Sequence, residues 1–301
     1  MNVYYSPDYV GSAYAFETTR KAKWLVDSLS TAPIANVALV PPPPLTLEQV
    51  IAVHDADYVR AVQTGVPRNL AESQKFVWDA GLWPMVLASN GGTSAAALDA
   101  LRNGIAGSLS SGLHHARRDR GAGYCTFNGL VLAAHAALAA GAKSVLILDL
   151  DAHCGGGTAS LISAEPRICQ LDVSVDSFDS YESSAGALLR MVHRSDEYLD
   201  EIESGLSELA SGGLRFDLCL YNAGMDPFEG CSDGGLAGIT APMLDARERL
   251  VFDWCRQQGL PVAFVLAGGY VGGHLASEGL VGLHRLTLSA ASESDLIRRG
   301  S

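Results

Sequence analysis

The run Leu148–Thr158, LDLDAHCGGGT, places Asp149, Asp151 and His153 on alternate residues, after the apolar stretch 144–148 and before three glycines. In extended chain, residues i and i+2 point the same way, so an Asp151 carboxylate oxygen and a His153 ring nitrogen can converge. That is half of a metal site. Zinc accepts such N and O ligands, and a catalytic zinc keeps three protein ligands and an open position. Asp226, in the run NAGMDP, is the natural third ligand, delivered by another strand. Standing alone, D-x-H describes a hydrogen-bonded turn equally well, so its companions matter. The tandem pair His114-His115 cannot be two ordinary core residues, because neighbouring side chains diverge and each needs a polar partner. Either ring could take a proton from an activated water or give one to a leaving group. Tyr270, after Gly268-Gly269, offers a phenol to a developing oxyanion.

Such residues meet only if the chain brings them together. Short β-branched runs alternate with helical stretches, the pattern of an α/β protein with a mostly parallel sheet. Strands are predicted over 3–5, 35–40, 106–110, 144–149, 167–173, 217–222 and 261–267. Helices are predicted over 18–29, 47–62, 92–102, 128–140, 196–209, 242–258 and about 273–288. Thr46 with Gln49 forms a capping box and Pro242 suits a first helical turn. Ligands of open α/β sheets gather at the carboxyl ends of the strands. The strands ending near Ser110, Asp149, Asn222 and Ala267 lead into His114-His115, Asp151-x-His153, Asp226 and Tyr270, respectively. One sheet edge therefore collects the acids, histidines and tyrosine.

No linker forces a split, and residues 1–301 read as a single domain in which the polar segment 291–301 is a frayed tail. The net charge of −12 without any Lys/Arg run argues against nucleic acid and suits an amine or lysine-bearing ligand. Six scattered cysteines without a C-x-x-C fit reduced thiols in a cytoplasm. The start MNVYYSPDYV lacks the form of a signal peptide, and no apolar run approaches the ~18 residues of a membrane helix. The expectation is a soluble, cytoplasmic protein without a membrane partner.

The ordered landmarks are His54-x-x-x-Tyr58, Gly91-Gly92, LHHA (Leu113–Ala116), GYCTFNGLVLAA (Gly123–Ala134), LDLDAHCGGGT, NAGMDP (Asn222–Pro227) and LAGGY (Leu266–Tyr270). From about Phe16 to the helix after Tyr270, the chain resembles the zinc-dependent histone deacetylase family, with its acetoin-utilisation and acetylpolyamine amidohydrolase relatives. The resemblance implies a three-layer arginase/deacetylase-like fold and Zn2+ on Asp151, His153 and Asp226, with Fe2+ or Co2+ able to take the same N/O site. It implies that His115 is the general base and then the acid, that His114 is its electrostatic partner bonded to Asp149, and that Tyr270 polarises the scissile carbonyl. Gly123 and Tyr124 match an aromatic-walled acyl-lysine tunnel. Backbone carbonyls of Asp149, Asp151, His153, Ser174 and Val175 match a structural K+ site. Trp78, Asp79 and Trp83 fall where family members line a pocket rim, although packing explains the tryptophans as well. The implied activity is a deacetylase acting on an acylated lysine peptide or acylated small amine. The rival is a non-hydrolytic acyl-lysine or amine binding protein. A binuclear ureohydrolase on the same fold would need carboxylates where this chain has Cys154, Gly156 and Pro227.

Two positions depart from the family pattern. Gly156 stands where an Asp or Asn hydrogen-bonds the second histidine, here His115. The expectation is an unpaired, less firmly oriented imidazole, with altered pH dependence and slower turnover. This is the one feature that favours the binding-protein rival. Cys154 replaces a histidine and reads as a small buried hydrophobe rather than a fourth ligand. Asp176 also replaces a histidine. His135, His193, His274 and His284 match no motif, and Gly155–Gly157 lacks the G-K-[ST] of a phosphate loop.

Overall fold

A computed structural model describes residues 1–12, 17–213 and 215–300, so Phe16, where the resemblance begins, lies outside the described residues. The strands are β1 (Asn2–Tyr4), β2 (Ala38–Val40), β3 (Ile105–Ser108), β4 (Val145–Asp149), β5 (Ile168–Ser174), β6 (Ala187–Met191), β7 (Leu218–Gly224) and β8 (Val262–Ala267). They form one eight-stranded sheet in the order β2-β1-β3-β8-β7-β4-β5-β6, and every pairing is parallel. The helices are α1 (Glu17–Thr31), α2 (Leu47–Ile51), α3 (Ala56–Thr64), α4 (Arg68–Ala71), α5 (Leu82–Asn103), α6 (Gly129–Ala139), α7 (Gly156–Ile162), α8 (Tyr198–Ser211), α9 (Ala241–Gln257) and α10 (Ser277–Gly300).

Parallel strands covered on both faces are rich in apolar residues, and β4 alternates between two cores. Leu146 and Leu148 pack with Leu25, Leu206, Val251 and Leu283 from α1, α8, α9 and α10. Val145 and Ile147 pack with Val59, Val86, Leu130 and Ile162 from α3, α5, α6 and α7. The result is the three-layer arrangement implied by the resemblance. Because β3, β8, β7 and β4 are adjacent and parallel, their carboxyl ends share one edge.

Several elements differ from expectation. The helix over 47–62 is two helices, broken at 52–55. There His54 turns inward: its Nδ1 donates to the Arg117 carbonyl (2.8 Å) and its Nε2 accepts from the Asn128 amide (3.0 Å). The break thus ties the segment just after His114 and His115 to the start of α6. The capping box at Thr46 and Gln49 and the proline at the start of α9 are present. Helix α5 begins at Leu82, ten residues before the expected start at Gly92. Strand β6 and helix α7 were not anticipated.

Residues 291–300, expected as part of a frayed tail, are helical. They continue α10 to Gly300 because Ala291, Ser294 and Asp295 are buried, and Asn36 Nδ2 donates to Asp295 Oδ2 at 2.6 Å. All six cysteines are free, and among the described residues no helix is long and apolar enough to cross a membrane.

Candidate metal and acyl-amine site

Beyond β4 the chain runs through Asp151 and His153, and β7 delivers Asp226. Ligand atoms of these three buried residues lie within 4.8 Å of one another. His153 Nδ1 sits 3.1 Å from Asp151 Oδ1 and 3.1 Å from Asp226 Oδ2, while Asp226 Oδ1 accepts from the Ala152 amide at 3.0 Å. Burial opposes charge on the His153 ring, yet these two acids push its pKa up to about 12. Burial and the neighbouring Asp151 charge lift Asp226 to about 6. Two buried carboxylates and one imidazole nitrogen aimed at a common point form a donor set that a divalent cation fits. Cys154 is not part of it. Its thiol is fully buried against the Asp176 carbonyl and the Met191 sulfur, as expected of a small apolar residue.

The loop after β3 brings the two histidines beside this cluster. His114 Nδ1 donates to Asp149 Oδ2 at 2.8 Å, and Asp149 Oδ1 accepts from Asn222 Nδ2 at 2.7 Å. Although burial disfavours the imidazolium, Asp149 and Asp151 raise His114 to about 10. The His115 ring lies 3.9 Å from that of His114, centroid to centroid. Burial and the His114 charge lower its pKa to about 4, so at neutral pH it is an uncharged proton acceptor. Tyr270 packs edge-on to the His153 ring at 6.0 Å. Burial, followed by the charges of Asp226 and Asp151, raises the Tyr270 phenol well above its ordinary value and keeps it a donor. The turn before it needs glycine: Gly268 has φ +53°, and a Cβ there would lie 2.2 Å from the Asp226 carboxyl.

These groups face a cavity whose lining includes Phe76, Gly123, Tyr124, His114, His115 and Tyr270. Tyr124 follows Gly123 with both residues at positive φ, and its ring is tilted against Phe76 at 5.7 Å. The mouth is shared by Tyr124, Tyr270, Phe178, Asp176, Asp233 and Lys75. Trp78, Asp79 and Trp83 do not line it. The Trp78 indole donates to the Val62 carbonyl, Asp79 accepts from the Gly81 amide, and Trp83 packs on Phe127. Ser174 and Val175 leave β5 beside the cluster, with the Val175 amide on the Ala152 carbonyl at 2.9 Å.

The largest correction concerns His115. Its Nδ1 is not unpaired but lies 3.1 Å from Asp179 Oδ2. Asp179 had no motif to mark it, and it stands 64 residues away in a different loop. Phe178, Phe76 and Lys21 carry no local motif either, and Arg117, two residues after His115, was marked only by its place behind LHHA. Lys21 is fully buried on α1 and its Nζ donates to the Gly268 carbonyl at 2.7 Å, bracing the turn before Tyr270.

A donor set that could hold a divalent cation thus lies beside a cavity at the carboxyl edge of a parallel α/β sheet. The chain belongs to the histone deacetylase family: the model of the histone deacetylase domain matches residues 15–280. An uncharacterized protein of Picosynechococcus is 35% identical, with 72% of this chain and 74% of that one covered. Histone deacetylase 2 of Arabidopsis thaliana is 31% identical over 60% of this chain and 48% of its own. A probable deacetylase of Methanothermobacter thermautotrophicus is 30% identical over 60% and 58%, so the chain spans about half the length of these two named relatives. Among solved structures, an acetylpolyamine aminohydrolase from Burkholderia pseudomallei superposes with a TM-score of 0.76 at 19% identity, covering 96% of this chain and 98% of that one. The HD domain of HDA15 gives 0.74 at 18% identity, covering 98% and 94%. Both likenesses establish the deacetylase fold.

Proposed function

We propose that this protein is a metal-dependent amidohydrolase, with Zn2+ as its first choice of metal, that removes the acyl group from an acetyl-lysine or an acetylated small amine. The observation that carries this reading is the convergence of Asp151, His153 and Asp226 beside a cavity lined by Asp151, His114, His115 and Tyr270. A bound cation would supply Lewis-acid activation of water and of the acyl carbonyl. His115 accepts the proton from the attacking water and returns it to the leaving amine. His114, held by Asp149, places positive charge beside the reacting centre, and Tyr270 donates a hydrogen bond to the developing oxyanion. Phe76, Gly123 and Tyr124 wall the acyl chain. Asp176 and Asp233 outnumber Lys75 at the mouth, in keeping with a substrate that carries a second amine or a basic flank. A K+ held by carbonyls of Asp149, Asp151, His153, Ser174 and Val175 would offset two buried acids: Asp172, lifted to about 8 by burial and Asp149, and Asp149 itself, its register partner on β4.

The test is acetate release from acetyl-lysine amide and from monoacetylated diamines by metal-stripped protein reloaded with zinc. Restored turnover is the expected result. Zinc uptake without turnover on any acyl chain would favour a binding protein, and absence of uptake would sink the metal assignment. The binding-protein reading has lost its original support, because the histidine expected to be unpaired has a partner.

Replacing Lys21 with methionine should leave zinc affinity unchanged and lower kcat by about 10-fold, since a buried carbonyl deprived of its donor costs ~1–3 kcal/mol and releases the Tyr270 turn. Burial lowers Lys21 from 10.5 to about 7. Between those values the unfolded chain holds more protons, so wild-type stability should gain from this group as pH rises from about 7 to 10. Urea unfolding at about pH 7 and about pH 9.5 should show that increment missing in Lys21→Met. An equal pH response in both proteins would contradict it.

A further inference from the structure

Resting on that functional reading and deepening it, the geometry points to Asp179 as the residue that orients His115, with Arg117 and the Gly157 amide holding Asp179 in place. Asp179 comes from the loop after β5, far in sequence from the glycine turn at 155–157. One carboxylate oxygen, Oδ2, accepts from His115 Nδ1 at 3.1 Å and from the Gly157 amide at 3.0 Å. The other, Oδ1, is paired with Arg117 Nη2, and Arg117 Nη1 also donates to the Gly156 carbonyl at 3.3 Å. The side chain is 9% exposed, so these contacts are made out of bulk water. A carboxylate can only accept, so the neutral His115 ring must carry its proton on Nδ1. That leaves Nε2 bare to take a proton from water. Phe178, the preceding residue, stands edge-on to the His115 ring at 5.0 Å and His114 covers another side at 3.9 Å, so the ring has little room to turn.

The backbone of Asp179 supports the assignment. Its φ of +59° lies in the left-handed region, where a non-glycine side chain is uncommon and Asp or Asn is tolerated best. Such conformations persist where the surroundings over-determine them, and here the surroundings are an arginine, an amide and an imidazole. Gly156 completes the picture: a Cβ at that position would lie 2.2 Å from the Asp179 carbonyl oxygen. The glycine is the opening through which the Asp179 loop reaches His115.

The test uses zinc-loaded wild type, Asp179→Asn and Asp179→Gly. Asparagine keeps shape and left-handed tolerance but cannot satisfy Arg117 and accept from both His115 and Gly157. Glycine relieves the left-handed backbone, which offsets part of the stability lost with the Arg117 and Gly157 contacts. Long-range 1H–15N spectra of histidine-labelled protein, with His115 assigned by His115→Ala, should show an Nδ1–H tautomer in wild type and a tautomer mixture in both variants. In the acetate-release assay kcat should fall about 10- to 1000-fold with KM within about 3-fold, as for other partners that fix a histidine. An unchanged His115 tautomer, or wild-type kcat in both variants of an active enzyme, would overturn the assignment. A wild type with the Nδ1–H tautomer but no turnover would remove the proposed reaction while leaving the orienting role in place.

Discussion

Asp226→Ala should abolish zinc-dependent turnover, with kcat reduced by at least ~1000-fold and zinc affinity reduced by more than ~100-fold. Loss of a group that merely orients a metal ligand costs ~10–100-fold, and Asp226 is proposed as a ligand itself. The variant should nevertheless fold. Removing Asp226 leaves the Ala152 amide without its acceptor, a penalty of ~1–3 kcal/mol. The same change takes one of two crowded, fully buried carboxylates out of the interior, which acts in the opposite direction. The diagnostic is therefore thermal unfolding with and without zinc. A ligand that binds only the folded state stabilises by RT ln(1 + [L]/Kd), ~4 kcal/mol at 1000 Kd. Wild type should show that zinc-induced rise in Tm and Asp226→Ala should not. A variant that keeps both the zinc shift and the turnover would remove Asp226 from the metal site and with it the proposed mechanism.

What could be read from the sequence follows from how information is carried along the chain. Strands β4 and β8 were legible because burial on both faces makes them nearly continuous apolar runs, while β5 and β7 are buried throughout but interrupted by Gln170, Asp172, Ser174 and Asn222. The candidate site residues were legible where they sit close together in the chain at the strand ends: Asp149, Asp151 and His153 lie within five residues, and His114-His115 share one loop. Strand β6 was not legible, since it lies at the sheet edge and carries Arg190, which pairs with Glu201 and Glu208 on α8. The first half of α5 was hidden by Pro84 and by Gly91-Gly92, which punctuate most helices but here lie inside one. The last part of α10 looks polar, yet its small residues Ala291 and Ser294 are buried. Asp179 was hidden for a different reason. Nothing local relates a residue to a partner 64 positions away, and the only trace was a missing carboxylate at position 156. A missing carboxylate in the glycine turn predicts an unpaired histidine, whereas His115 takes its partner from the loop after β5.

This different placement of the acid reverses the expected effect of restoring the missing one. Gly156→Asp should slow the proposed turnover instead of improving it. A Cβ at 156 would meet the Asp179 carbonyl oxygen at 2.2 Å and the Asp179 carboxylate at 2.8 Å, contacts closer than real Cβ atoms make. The loop must yield, and overpacking of this kind costs ~1–3 kcal/mol, so Tm should fall by roughly 2–4 °C per kcal/mol. As the loop yields, Asp179 leaves His115 and Arg117, and kcat should drop by about 10-fold or more. Gly156→Ala separates the two consequences because it brings the collision without a replacement carboxylate. If the introduced carboxylate captures His115 Nδ1, Gly156→Asp will be the more active of the two variants while remaining below wild type. Pairing Gly156→Asp with Asp179→Gly removes the carboxylate collision and loosens the opposing backbone, so the double variant should regain part of the kcat lost in Asp179→Gly alone. A single Gly156→Asp variant faster than wild type would mean that Asp179 holds His115 poorly, and that the acid in the loop after β5 is no substitute for one in the glycine turn.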